Sequence, residues 1–378
     1  MTAVQPLGLH HNTSGRRIRR PQDGRRANLS LVLQSLYDDP QLTRAELARM
    51  TGLTKVTISD LIAELIDHGL VAETGMTSAV RPGKPAATLG VREDTRDIVA
   101  LDLSAPDIAR AGTYSLKGVK RDEAILDLSG RTGAAAAAVV LRLVETCLER
   151  AQRTILGIGV GSPGAVDAFG TVIAAPNLGW YSLALQDMIS EQFGLPTAVQ
   201  NDASAAVVAE KTFADAGNDL VRVQISRGVG AGVLLGGTLV VGTSAAAGEI
   251  GHVVIEHQGA LCPCGKRGCL ETWISVPALR RRLAADVMAR EEILSEAGRR
   301  LGMALSPVVA TLDVPEIVVG GPEDLMGGAF LQACQDLVIE RTHSDFRRDP
   351  SVKLSYLGNE AVLLGAVSLV LRTTLGVS

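Results

Sequence analysis

Residues 248–271 read GEIGHVVIEHQGALCPCGKRGCLE, a stretch that holds three of the chain's five cysteines. Cys262, Cys264 and Cys269 crowd together there, whereas Cys147 and Cys334 are isolated in apolar helical contexts. In a reducing compartment, cysteines this closely spaced favour a metal site over disulfides. The stretch therefore predicts a metal site inside a larger domain, whose other parts lie on either side of it.

Apolar strands and turn-rich segments flank this stretch. Residues 155–160 form a strand pattern that ends in GSPGAVD at 161–167, and residues 199–203 read VQNDA before a helix that reaches Glu210. Residues 223–232 add a further strand and glycine turn, VQISRGVGAG. Ligands bind at strand ends of this kind in α/β folds. We therefore expect a small-molecule site where these segments meet.

Taken in order, these segments resemble the ROK family, which joins bacterial repressors and sugar kinases. The resemblance includes IVVGGP at 317–322 and LGNEA at 357–361. It implies an α/β fold of the two-lobed actin/hexokinase type, which is ribonuclease H-like. The family domain is expected over 97–378, with lobe one at about 97–217 plus a C-terminal helix at about 358–376, and lobe two at about 218–357.

The cysteine cluster resembles the family's zinc signature, in which Gly-His is followed by C-x-C-G-x-x-G-C. The implied ligands of one structural zinc ion per chain are His252, Cys262, Cys264 and Cys269. Three thiolates and one imidazole complete a tetrahedral zinc site with no open position, which is typical of structural sites. Buried free cysteines are the alternative reading.

The resemblance also implies a sugar site. Its predicted residues are Asn177, Asn201, Asp202, Glu249 and Glu271, with His252 shared between sugar and metal. Carboxylates and amides suit sugar hydroxyls because each offers several hydrogen-bonding positions. An Asn-Asp pair such as Asn201-Asp202 is otherwise typical of a helix cap. In the kinases of the family the residue that matches Asp202 is the general base, so the position of that base is retained here.

The phosphate loop departs from the kinase pattern D-x-G-G-T. The matching residues, 102–106, read DLSAP, so both glycines have gained a Cβ and the last position has lost its N–H. We expect phosphate binding to fail and no residue to be catalytic. The chain is therefore predicted not to be an enzyme.

Residues 25–92 predict a winged helix-turn-helix. An apolar helix pattern runs from Arg25, a Thr43-Glu46 capping box and Gly52 bound a short helix, and Thr54 is a second N-cap. The helix after Thr54 should enter the DNA major groove, and a wing should touch the backbone. The predicted DNA contacts are Lys55, Val56, Thr57, Ser59, Asp60, Arg81 and Lys84. A three-helix module for protein interaction or dimerisation is the alternative.

Composition and charge limit the remaining possibilities. The chain has 378 residues and a net charge of −4, so a nucleic-acid role must come from local positive charge. Residues 1–24 supply it, as a basic N-terminal tail expected to be flexible. No signal-peptide pattern and no bilayer-length apolar run is present, so a cytoplasmic protein without a membrane partner is expected.

Together these features predict a sugar-responsive repressor of carbohydrate genes. Its expected partners are double-stranded operator DNA, a sugar or sugar-phosphate effector, and further copies of itself in a homodimer or homotetramer. Two alternatives remain open at this point. One is a sugar kinase with ATP-dependent activity, and the other is a repressor controlled by a protein of a sugar transport system.

Overall fold

The computed structural model describes residues 21–76, 86–286 and 288–377. The N-terminal part is a winged helix, with three helices and a two-stranded antiparallel sheet: α1 (Pro21–Asp38), α2 (Arg44–Thr51), α3 (Lys55–Asp67), β1 (Val71–Met76) and β2 (Ala87–Val91). The predicted wing contacts Arg81 and Lys84, and the first twenty residues of the basic tail, lie outside the described residues.

Side-chain caps set the ends of the helix-turn-helix, as predicted. Thr43 N donates to Glu46 Oε2 over 2.9 Å and Glu46 N donates to Thr43 Oγ1 over 3.3 Å, which is the capping box. Gly52 closes α2 in the left-handed region at φ 72°, and Thr54 caps α3. The first helix differs from its prediction, because α1 begins at Pro21 rather than Arg25. Proline is favoured in the first turn, where its missing N–H costs nothing.

A two-lobed α/β domain follows the winged helix. The elements of its first half are β3 (Arg96–Asp102), β4 (Ile108–Ser115), β5 (Lys120–Asp127), α4 (Gly133–Arg150), β6 (Thr154–Ser162), β7 (Ala165–Val166), β8 (Val172–Ala175), β9 (Trp180–Leu183), α5 (Leu185–Phe193), β10 (Thr197–Asn201) and α6 (Asp202–Phe213). The elements of its second half are β11 (Leu220–Ile225), β12 (Val229–Leu235), β13 (Thr238–Leu239), α7 (Glu271–Ile274), α8 (Val276–Ala285), α9 (Arg290–Leu312), β14 (Glu316–Gly320), α10 (Glu323–Met326), α11 (Ala329–Thr342), β15 (Ser351–Leu354) and α12 (Ala361–Val370).

Each lobe is built on one mixed five-stranded sheet. The first has the order β10-β6-β3-β4-β5, in which β3 to β5 form an antiparallel meander and β6 and β10 run parallel to β3. The second has the order β13-β12-β11-β14-β15. A small sheet, β7-β8-β9, extends from the first lobe. Strand β5 was not predicted, because its alternation of charged and apolar residues is weak.

Helix α6 is packed against elements of both lobes. On one side it meets α12, and a Cβ added to Gly365 would lie only 2.2 Å from the Ala205 carbonyl oxygen. On the other side it meets β12, where a Cβ added to Gly232 would lie 2.5 Å from the Ala203 carbonyl oxygen. These close approaches need glycine, and they fix α6 between the two lobes.

The winged helix shares its apolar core with the first lobe. One continuous cluster includes Leu36 and Leu61 of the winged helix, Tyr114 of β4, and Leu371 and Val377 after α12. The segment Leu371–Leu375 continues α12 as a wider helical turn. Within the described part of the chain, no helix is both long and apolar enough to cross a bilayer.

Candidate functional site

The predicted metal ligands converge in the loop between β13 and α7. The ligand atoms of His252, Cys262, Cys264 and Cys269 all lie within 4.8 Å of one another. Cys264 Sγ is 3.7 Å from Cys269 Sγ, and Cys262 Sγ is 3.5 Å from His252 Nδ1. The sequence stretch that predicted a metal site therefore forms a compact four-ligand cluster.

Short backbone pairings close this loop. Val254 pairs with Cys269 and Leu261 pairs with Arg267 in isolated antiparallel bridges. Gly268 adopts φ 72°, and a Cβ there would come within 1.7 Å of the Glu256 carbonyl oxygen. Only glycine fits such an approach, so Gly268 is what allows the loop to bring Cys269 back toward His252.

His252 connects the cluster to one group of predicted sugar residues. Its Nδ1 faces the sulfur atoms, whereas its Nε2 lies 3.7 Å from Glu249 Oε2. Glu271 opens α7 directly after the cluster, where its Oε2 accepts a hydrogen bond from Val229 N over 3.0 Å. Its Oε1 lies 4.0 Å from Cys262 Sγ. The cysteine-histidine cluster is therefore surrounded by three of the predicted sugar residues, Glu249, His252 and Glu271.

The second group of predicted sugar residues lies at the start of α6. Asn201 is the N-cap, since its Oδ1 accepts from Ser204 N over 3.0 Å, so the helix-cap reading of this pair is correct for that oxygen. Its Nδ2 donates to the Gly164 carbonyl oxygen and to Asp202 Oδ1, over 2.9 and 3.0 Å. Asp202 Oδ1 also accepts from Ala203 N. The cap thus fixes the Asp202 carboxyl at the junction where β10 ends and α6 begins.

The glycine turn before β12 brings the two groups toward each other. Val229, which bonds to Glu271, opens β12, and a Cβ on the adjacent Gly230 would lie 3.6 Å from the Ala203 Cβ of α6. Asn177 is exposed in the short helix Pro176–Leu178. In the described part of the chain, no hydrogen bond or ion pair joins Asn177 to the other predicted sugar residues.

Two carboxyls at the strand ends of the first lobe, Asp102 and Asp202, are close enough for their charges to interact. Burial raises the pKa of Asp202 to about 7, and Asp102 acts in the same direction. Burial also raises the pKa of Asp102, at the end of β3. A carboxyl with a pKa near neutrality can both accept and donate a hydrogen bond within the ordinary pH range.

The altered phosphate loop is folded onto Asp102. Ser104 N donates to Asp102 Oδ1 over 2.9 Å, so this N–H points at a carboxylate. Arg110 of β4 lies 3.9 Å from the other oxygen of Asp102 and bonds to Glu123 and Glu360 over 2.8 and 2.7 Å. The sequence did not reveal the Arg110 cluster, because Arg110 and Glu360 are 250 positions apart.

The start of α3 is open to solvent. Lys55, Ser59 and Asp60 are exposed, and Val56 keeps 71% of its surface accessible. Thr57 N is bonded to the capping Thr54 Oγ1, and the Ser59 hydroxyl donates to the Lys55 carbonyl oxygen over 2.9 Å. Ser59 therefore has only its acceptor lone pairs left for a partner. The exposed turn has the form expected of a recognition helix.

A winged helix joined to a two-lobed α/β domain that carries a cysteine-histidine loop defines the class of this protein. The ROK family model matches residues 131–373, more than half of the chain. The chain belongs to the ROK family. A MarR family model matches residues 30–75, within the winged helix.

Individual relatives match different lengths of the chain. It is 27% identical over 384 residues to the xylose repressor of Caldicellulosiruptor bescii. That alignment covers 92% of this chain and 96% of the repressor. It is 29% identical over 268 residues to a glucokinase of Thermotoga maritima, which covers 61% of this chain and 84% of the glucokinase. A crystal structure of a ROK family transcriptional regulator, a homologue of the Escherichia coli Mlc protein, has a TM-score of 0.81 at 24% identity and covers 93% of this chain and 96% of the other.

Proposed function

We propose that this protein is a sugar-responsive transcriptional repressor of carbohydrate genes and that it has no kinase activity. The observation that carries this proposal is the exposed first turn of α3 in a chain whose winged helix shares one core with a ROK domain. A module that reads the major groove is thus built onto a domain with a polar, sugar-type cleft. The match to a named repressor over 92% of the chain supports the same conclusion.

The operator contacts come from α3 and the wing. The exposure of the first turn of α3 supports the assignment of base and phosphate contacts to Lys55, Val56, Thr57, Ser59 and Asp60. Contacts to the DNA backbone are assigned to Arg81 and Lys84 from the sequence. Base contacts specify sequence, while cation-phosphate contacts supply affinity. Because operators are commonly two-fold symmetric, the repressor acts as a homodimer or homotetramer.

The effector is a sugar or sugar phosphate held between the two lobes. Asn201 and Asp202 offer an amide and a carboxyl from α6, Glu249 and His252 offer a second pair, and Glu271 faces the same glycine turn. Asn177, from the edge of the first lobe, completes the set. Such groups bind hydroxyls through charge-assisted hydrogen bonds, and the set suits a polyhydroxylated ring.

The cysteine-histidine loop fits one structural zinc ion. In a tetrahedral zinc site the metal-sulfur distance of about 2.3 Å separates two sulfurs by about 3.8 Å, and Cys264 Sγ and Cys269 Sγ are 3.7 Å apart. His252, Cys262, Cys264 and Cys269 would hold it, and it would supply a fixed cross-link within the loop. His252 Nδ1 is then engaged, which leaves Nε2 to face Glu249 and the sugar.

The cleft lacks the means to hold the phosphates of ATP. The Ser104 N–H is directed at Asp102, Pro106 has no N–H, and Leu103 N is bonded to the Gly161 carbonyl oxygen. A kinase needs such N–H groups to point at the phosphates. The retained Asp202 therefore serves to bind the sugar.

An operator titration tests the proposal. DNA is selected from a random duplex library with the full-length protein, and its affinity is measured with and without D-xylose, D-glucose, D-mannose and glucose 6-phosphate. We expect one of these sugars to change operator affinity. Asp202→Ala and Glu249→Ala should bind operator like the parent without sugar, but need roughly tenfold to a hundredfold more sugar for the same response, since each loses a bond of about 1.5–3 kcal/mol.

The control is Glu191→Ala, which removes an exposed carboxylate on α5. It should respond at the parent's sugar concentration. If Asp202→Ala and Glu249→Ala also respond there, the assigned cleft is wrong. If the parent selects no DNA sequence, the repressor function is wrong.

A further inference from the structure

Helix α6 runs from the proposed sugar site to the winged helix. Asp202 is its first residue and Phe213 its last, so its twelve residues span roughly 18 Å. At the far end, Phe213 packs against the core that the winged helix shares with the first lobe. Burial and Arg372 lower the pKa of Lys211 in the last turn of α6, while Asp38 at the end of α1 acts in the opposite direction.

The second lobe is hydrogen-bonded to Glu210, near the C-terminal end of α6. Glu210 accepts a hydrogen bond from Arg222 Nε of β11 over 2.9 Å, and both side chains are at most 1% exposed. Ser355, just after β15, donates to the same Glu210 oxygen. A buried ion pair is costly to break once formed, so a shift of β11 must carry Glu210 and the neighbouring Phe213 with it.

The turn between β4 and β5, residues 116–119, touches Phe213 on one side. Gly118 has φ +75°, and a Cβ there would come within 2.8 Å of the Phe213 ring and 3.0 Å of Leu364. The backbone of the turn therefore rests directly on the end of α6. The Phe213 ring is therefore the contact through which a displacement of α6 would reach this turn.

On its other side, the turn at residues 116–119 contacts Tyr37 at the end of α1. Lys117 Nζ donates to the Tyr37 carbonyl oxygen and lies 3.7 Å above the centre of the Tyr37 ring. The Tyr37 hydroxyl donates to the Leu116 carbonyl oxygen over 2.8 Å in a buried position. Tyr37 is in the last turn of α1, where carbonyl groups lack helical partners and a cation is favourable.

From these contacts we infer that α6 and the turn at residues 116–119 transmit the state of the sugar site to the winged helix, with Lys117 and Tyr37 as the positioning residues at the junction. The inference rests on the proposed repressor function and specifies how the site is regulated. A sugar that draws the second lobe toward Asp202 shifts Glu210 and Phe213, and the turn passes this shift to α1.

Helix α1 then moves the recognition helix. Arg25 of α1 pairs with Glu64 of α3 over 2.6 Å, and Leu33 and Leu61 lie in the same apolar cluster. A tilt of α1 therefore changes the angle at which α3 meets the DNA groove. Neither Lys117 nor Tyr37 touches the sugar residues or the exposed turn of α3 in the described structure.

The test measures the ratio of operator dissociation constants with and without saturating D-xylose, and again with D-glucose. Lys117→Met keeps the stem but removes both the donor and the cation, and Tyr37→Phe removes the buried hydroxyl. We expect a parent ratio in the range of about 5 to 150 to fall toward one in the double variant. Sugar affinity of the DNA-free protein, measured by calorimetry, should stay within about twofold of the parent.

Two variants serve as controls. Val119→Ala changes a residue of the same turn that is 49% exposed, and Lys117→Arg keeps a cationic donor. Both should retain the parent's ratio. In the parent, D-xylose or D-glucose should also change amide hydrogen exchange at residues 36–38 and 116–118, a measurement that does not depend on any variant folding.

The possible results distinguish a failure of the proposed function from a failure of the inference about α6 and the turn at residues 116–119. A parent ratio of one with D-xylose, D-glucose, D-mannose and glucose 6-phosphate overturns the sugar-responsive part of the proposed function and this inference together. A parent ratio above one that persists in the Lys117→Met, Tyr37→Phe protein overturns the inference alone. The same holds if exchange at residues 36–38 and 116–118 is unchanged while sugar releases or tightens the operator.

Discussion

Asp202 performs two tasks with one carboxyl. Its Oδ1 accepts from Ala203 N at the start of α6, and the group also lies at the cleft, where burial raises its pKa to about 7. The folded protein therefore holds this proton more tightly than the unfolded chain does. Its contribution to stability is present at low pH and is lost as the pH rises through about 7. Sugar binding should depend on pH in the opposite direction.

We predict that sugar affinity rises between pH 6 and pH 8 as Asp202 ionises. A carboxylate accepts a stronger hydrogen bond from a sugar hydroxyl than a neutral carboxyl does, and a difference of about 1 kcal/mol corresponds to about fivefold. Calorimetry of the effector sugar across this range measures it. Asp202→Asn should bind more weakly and lose the pH dependence. The same slope in Asp202→Asn would assign the titration to another group.

Single residues were predictable where their partners are close in sequence. Thr43 with Glu46, and Asn201 with Ser204, are capping pairs whose spacing is set by helix geometry. Arg110 with Glu360, and Tyr37 with Leu116, join residues 250 and 79 positions apart. No local pattern marks such partners, because only the folded chain brings them together.

At the scale of elements, the proposed DNA contacts of the winged helix are divided between α3 and the wing. Arg81 and Lys84 are proposed as backbone contacts, whereas Lys55 opens the exposed turn of α3. We predict that Arg81→Ala with Lys84→Ala weakens binding to every DNA sequence and lowers the slope of log affinity against log salt by about 0.9 per lost phosphate contact. Fluorescence anisotropy at several salt concentrations measures the slope.

Lys55→Ala is the matched comparison for the wing variant. It removes one cation at the start of α3 and should change which bases are preferred, because we propose that this exposed turn enters the major groove. An unchanged salt slope in the wing variant would remove the wing from the DNA contacts. An unchanged base preference in Lys55→Ala would remove Lys55 from sequence reading.

The cysteine-histidine loop is the second element with a separable role. We predict about one zinc per chain in freshly purified protein and its loss in Cys264→Ser, because the exposed Cys264 supplies one of four ligands. Sugar affinity should fall with the zinc, since His252 belongs to the loop and Glu271, the first residue of α7, lies 4.0 Å from Cys262 Sγ. Elemental analysis and calorimetry measure the two effects. Cys147→Ser, a buried cysteine of α4, should keep its zinc.

Zinc-free parent protein would contradict this assignment. The loop itself was predictable because its four ligands lie within eighteen positions and its glycines occur at fixed spacing. Helix α4 carries a comparable local pattern, since it is rich in alanine and other apolar residues and lies between two strands. Strand β5 was not predictable in this way. Residues 120–123, the first half of the strand, are all charged, and the position of the strand is set by its pairing with β4.

At the scale of the whole molecule, the ROK fold is retained while the first phosphate loop is altered at residues 102–106. We predict no ATP-dependent phosphorylation of D-xylose, D-glucose or D-mannose above background in a coupled assay, because the N–H groups at residues 103 and 104 are bonded within the protein. Turnover that disappears in Asp202→Ala would promote the kinase alternative. Turnover that persists in that variant would point to a contaminating enzyme.

The shared core also affects how the protein is made. The Ser30 hydroxyl donates to the carbonyl oxygen of Leu375, 345 positions away, and Val377 is fully buried against the winged helix. At a synthesis rate of about 5–20 residues per second, roughly 20 to 70 s pass between the synthesis of Ser30 in α1 and that of Leu375. Until residues 371–377 have been synthesised, a nascent chain therefore exposes the apolar surface of the winged helix that these residues cover in the folded protein.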